Sequence, residues 1–77
     1  MIKEHDRIVL TEAVPAEGLE VGDVGTVVHA HAHGKAFEVE FRTLDGKTAA
    51  VATVEAGAAR PVRGNEITHS RELTRAR

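Results

Sequence analysis

Within Ala36-Phe37-Glu38-Val39-Glu40-Phe41-Arg42-Thr43 apolar and charged residues alternate for six positions, from Phe37 to Arg42. A period of two is that of a strand with one dry and one wet face, so Phe37, Val39 and Phe41 are expected inside and Glu38, Glu40 and Arg42 outside. Asp45-Gly46 follows, a pair suited to a two-residue type I′ hairpin turn, in which both central residues take positive φ. With Leu44 opposite Lys47, Phe41 faces Ala50, Val39 faces Ala52 and Phe37 faces Val54. On the outer face Arg42, Glu40 and Glu38 then meet Ala49, Val51 and Thr53. Small residues thus stand opposite large ones, the arrangement that fills a thin core.

The remaining pattern supplies three more strands. Asp6 to Thr11 is a short β-branched run expected to be buried on much of its surface. Glu12 to Glu20 reads as a long loop, with Leu19 and Val21 closing the mouth of the core. In Val21-Gly22-Asp23-Val24-Gly25-Thr26-Val27-Val28, Gly22 suits a turn residue of positive φ and Gly25 a close backbone crossing at the start of a strand. That strand is expected to run from Gly25 to about Ala32, with Thr26, Val28, Ala30 and Ala32 on one side and Val27, His29, His31 and His33 on the other. His33-Gly34-Lys35 makes the next turn. Glu55 to Ala59 reads as a turn or 3-10 segment, and Arg60-Pro61-Val62 as a last strand that Pro61 confines to an edge. The series predicts an all-β fold: a small SH3-like five-stranded barrel, its sheet closed, over residues 1–62. Residues 63–77 form a basic C-terminal tail, flexible or turning helical on a partner, because Ile67, Leu73 and Ala76 are too few and too unevenly spaced for a docked amphipathic helix.

Composition narrows the setting. A chain of 77 residues with two phenylalanines, no tryptophan and no tyrosine has a small core in which the two rings carry a large share of the packing. Absence of cysteine removes disulfides and thiol nucleophiles, and no stretch reads as a signal peptide or membrane span; a cytoplasmic, bacterial setting is expected. The net charge of -2 is unevenly spread. Residues 1–62 hold six Lys/Arg against ten Asp/Glu, whereas residues 63–77 hold four Arg against two Glu. An acidic body disfavours phosphate backbones as its partners.

The ordered series Ile2-Lys3-Glu4, Asp6, Ile8-Val9-Leu10, Gly18-Leu19, Gly22-Asp23-Val24-Gly25-Thr26-Val27-Val28-His29, Ala36 to Phe41, Asp45-Gly46 and Arg60-Pro61-Val62 resembles the short prokaryotic proteins grouped as domain of unknown function 4926. The resemblance covers nearly all of residues 1–62 and implies an SH3-like barrel without assigned catalysis, encoded beside a small partner protein as in toxin-antitoxin or immunity pairs. It carries over no functional residues. His31-Ala32-His33 and the tail fall outside the shared pattern.

Candidate chemistry is sparse. His29 and His31, two apart on a strand, are the metal candidates, since imidazoles at that spacing can share a zinc ion with His5 or a carboxylate completing the shell. The plainer reading is a histidine-rich hairpin end in solvent, and a surface that gains charge between about pH 5 and 7 is a third. Glu38 and Glu40 have the spacing of a carboxylate pair, but on an open sheet such a pair is ordinarily solvated and Arg42 can neutralise one member. Ser70, the single serine, lies in the tail and supports no triad; Gly22-Asp23-Val24-Gly25 lacks the Lys-Ser/Thr of a phosphate loop. Without Trp or Tyr, capture of proline-rich peptides in an aromatic groove is disfavoured. What remains is a non-catalytic module that binds a protein partner through Glu38, Glu40, Arg42 and Val51, with no resident cofactor and with self-association left open. From other classes come a nucleic-acid-binding barrel that uses the basic tail, and a zinc-binding protein using the histidines.

Overall fold

The computed structural model describes residues 2–73. Five strands, β1 (Arg7–Leu10), β2 (Val24–Ala30), β3 (Ala36–Arg42), β4 (Thr48–Glu55) and β5 (Ala59–Pro61), form one antiparallel sheet in the order β4-β3-β2-β1-β5. Short 3-10 turns stand at Pro15–Glu17, Ala32–Gly34 and Ala56–Ala58. The meander is that of an SH3-like barrel, but its sheet is not closed, contrary to expectation: β4 and β5 are both edges. Three residues ending in Pro61 leave β5 too little backbone, and too few N–H groups, to pair on both sides. The strand also lies one residue earlier than Arg60–Val62.

The dry face of β3 is as the alternation requires. Phe37, Val39 and Phe41 are buried and pair with Val54, Ala52 and Ala50. Ile8, Leu10, Leu19 and Val27 complete the core. The turn differs from expectation while the register does not. Gly46 alone takes the left-handed conformation (φ 89°), the Gly46 N–H donates to Thr43 O at 2.9 Å, and Thr43 N–H donates to Lys47 O at 2.8 Å, so the loop has three residues rather than two. A left-handed backbone costs a non-glycine residue roughly 1–2 kcal/mol, so one glycine supports one such residue. The extra loop residue would displace every pair below it by one. An irregularity between Phe41 and Arg42, which leaves Ala49 unpaired and puts Arg42 opposite Thr48, cancels that displacement.

A second irregularity, at Val28, corrects the expected faces of β2. Val27 pairs with Val39 and His29 with Glu38, leaving Val28 as the additional residue. Val27 and Ala30 therefore point inward, whereas Thr26 and His29 lie on the outer face, and the strand ends at Ala30. Val21 is also corrected. It is exposed at the tip of a turn in which Asp23 N–H donates to Glu20 O, with Gly22 at φ 95°; only Leu19 closes the mouth.

Gly25 is the tightest point of the fold. A Cβ there would lie 2.5 Å from Val39 Cγ1 and 2.8 Å from the Phe41 ring. Gly25→Ala is expected to lower stability by about 1–3 kcal/mol through overpacking. Phe41→Ala is expected to lower it by about 3–5 kcal/mol through the cavity it leaves. Urea unfolding followed by far-ultraviolet circular dichroism measures both.

Candidate functional site

Two clusters of polar side chains stand on the outside of this sheet. The first covers the wet face of β2, β3 and β4. Because Val28 bulges out, His29 stands beside Glu38, and the turn that follows brings His31 to the same carboxylate: His31 Nε2 lies 2.7 Å from Glu38 Oε2. Thr53, opposite on β4, donates its hydroxyl to Glu38 at 2.8 Å. One pair further along, Glu40 accepts from the Thr48 hydroxyl at 2.5 Å and from Arg42 Nη2 at 3.3 Å. Val51, directly across from Glu40, is 54% exposed.

These contacts fix the charge state of the face. The hydrogen bond from His31, then that from Thr53, holds the Glu38 carboxyl below its ordinary range; Thr48 and then Arg42 do the same for Glu40. Both side chains are thus anionic acceptors at neutral pH and poor proton donors. Fixed charges beside an exposed apolar residue suit docking better than proton transfer. The four residues expected to bind a partner, Glu38, Glu40, Arg42 and Val51, share this face.

His29 and His31 also come together, their rings edge-on with centroids 5.2 Å apart. Each faces its own carboxylate, His29 Nδ1 lying 3.5 Å from Glu4 and His31 bonding Glu38. Among the described residues no three His, Cys, Asp or Glu side chains converge into a set able to hold a metal ion. His5, the proposed third ligand, sits in a left-handed turn conformation at φ 75°.

The second cluster escaped the sequence reading. Residues 62–73 run without regular structure across the end of the barrel, and two arginine–carboxylate pairs hold them there. Arg60 makes a two-pronged contact with Glu66 (3.0 and 2.6 Å), which also accepts the Arg63 N–H at 2.6 Å. Arg71 meets Asp23 with Nε at 2.9 Å and Nη2 at 2.5 Å, and its Nη2 donates to Gly18 O at 3.0 Å. Partial burial opposes ionisation of Asp23, but the Arg71 bonds and the Glu20 N–H outweigh it and hold its carboxyl below the ordinary range. The anchors are ionic, so hydrophobic spacing gave no sign of them; the one available signal was the contrast of acidic body and basic tail. Among the described residues no helix is long and apolar enough to cross a membrane.

Residues 4–60 match the family model described as Domain of unknown function (DUF4926), and the chain belongs to that family. No curated protein and no solved structure matches it.

Glu66 gives a direct reading of the tail anchor. The Arg60 hydrogen bonds, followed by the Arg63 N–H, bring its pKa down from 4.5 to about 2. A carboxyl whose pKa is lower when folded contributes above its ordinary value and loses that contribution as the pH falls through the folded value. Carboxyl-carbon NMR should therefore place the Glu66 midpoint near 2 and show the anchor releasing there, and Arg60→Ala should raise the midpoint toward the ordinary carboxylate range.

Proposed function

We propose that this member of the DUF4926 family is a non-catalytic interaction module whose outer β2–β4 face binds a protein partner, the product of a neighbouring gene, in the manner of an antitoxin or immunity protein. The observation that carries this reading is Val51, exposed across from Glu40 on a face where Glu38 and Glu40 are already held by Thr48, Thr53, Arg42 and His31. Side chains fixed before binding lose little conformational freedom on association, and charges of known position select a partner of complementary pattern. The acidic balance of residues 1–62 favours a basic surface on that partner.

The nucleic-acid alternative draws less support, because Arg71, one of the tail's four arginines, and Arg60 just before the tail are already bonded to Asp23 and Glu66. A zinc-binding role draws less support as well, since His29 and His31 face separate carboxylates.

Co-expression with the neighbouring gene product followed by size-exclusion chromatography tests the proposal. Co-elution at micromolar concentration is expected. Val51→Ser and Glu40→Ala, each on the solvent side of the sheet, should weaken the complex about tenfold or more while leaving the circular dichroism spectrum unchanged. Separate elution of the two wild-type proteins would refute it.

A further inference from the structure

Arg71 occupies a set of acceptors shaped for a guanidinium group. The carboxylate of Asp23 takes Nε and Nη2 side by side, Gly18 O takes a further Nη2 hydrogen at 3.0 Å, and Glu20 Oε2 lies 3.6 Å from Nη1. Asp23 is itself held in place, since its Oδ2 accepts the Glu20 N–H at 2.8 Å across the Gly22 turn. A planar fork meeting a fixed carboxylate in this way selects arginine over lysine. All of these acceptors lie within residues 4–60, the stretch that the family model matches, while the arginine that fills them comes from beyond it.

Next to the acceptors is a cleft of about 590 Å³ between the barrel and the tail, with Val9, Val24, Phe41 and Val62 among its lining. The tail fills it poorly. Of the two large apolar side chains in residues 63–73, Ile67 is 92% exposed and Leu73 is half-buried, while Val24 and Val62 on the barrel side remain 42% and 37% exposed. The strap is thus held by its charges over a cleft whose apolar rim, at Val24 and Val62, it leaves partly uncovered.

We propose that the Gly18–Asp23 turn and this cleft form a recognition site for an extended segment of a partner protein that carries an arginine with an apolar side chain beside it, and that Arg71 holds the site in cis until such a segment displaces it. The site is separate from the β2–β4 face and does not rest on the reading given above. A second copy of this chain is the weaker occupant: its tail would make the same contacts without the high effective concentration of an attached segment. A heterologous segment gains what the strap forgoes, burial of Val24 and Val62. The acceptors themselves, two carboxylates and a carbonyl, select a cation and not a phosphate group.

The test uses the full chain with Arg71→Ala, which empties the acceptors and leaves the core and the Asp23–Glu20 turn intact. A synthetic peptide of residues 63–77 is titrated into it and followed by amide NMR. Shifts at Gly18, Glu20 and Asp23 are expected, with binding at least about tenfold weaker to the wild-type chain, where the attached tail competes. The peptide carrying Arg71→Ala should not bind, and the peptide carrying Ser70→Leu should bind about threefold more tightly as its side chain enters the cleft. Absence of shifts in the Arg71→Ala chain at millimolar peptide, or equal shifts with the peptide that lacks the arginine, would overturn the arginine site. Equal or weaker binding of the Ser70→Leu peptide would overturn the role of the cleft. Sedimentation of the wild-type chain separates the sources: a dimer that Arg71→Ala dissolves would assign the site to a second copy and overturn the partner.

Discussion

The contact on which this fold depends is the Phe41 ring lying against the bare backbone of Gly25. A domain with only two aromatic rings must pack both fully, and Phe41 is 3% exposed because β2 offers no side chain at that crossing. The same close approach lets Val39 reach the glycine. It draws β2 and β3 together where β2 leaves the Gly22 turn, so the path of the long β1–β2 loop and the placing of Asp23 follow from it.

Register is the second constraint, and it is met by compensation. A three-residue loop would have displaced the pairing of β3 with β4 by one residue, turning Ala50, Ala52 and Val54 away from the core. The unpaired Ala49 restores it. With the dry face secured, the wet face is secured too: Glu38 necessarily stands opposite Thr53 and Glu40 opposite Val51, and Thr48 is carried to Glu40 by the same irregularity. The bulge at Val28 does a similar thing on the other side, turning His29 outward while Val27 stays in the core.

Electrostatics act on top of this frame rather than in making it. Among the described residues none of the buried side chains is polar or charged, and the ion pairs lie at the surface, where each is worth little to stability. Their effect is positional. They fix carboxylates on the sheet face and lay the tail along the end of the barrel, two places where a small domain can meet another molecule.

The alternation of Phe37 to Arg42, the turn glycines and Pro61 made the strands, their order along the chain, the register of the central hairpin and the edge position of β5 legible in the amino-acid sequence. These are local properties: period, backbone freedom and missing donors act within a few residues of where they are written. The open sheet, the outward turn of His29, the exposure of Val21 and the strapping of the tail by Arg71 were decided only in three dimensions. Each depends on which distant backbone or charge arrives at a given point. A bulge at Val28 is settled by the fit of β2 to β3, and an arginine 48 positions from its carboxylate leaves no periodic trace.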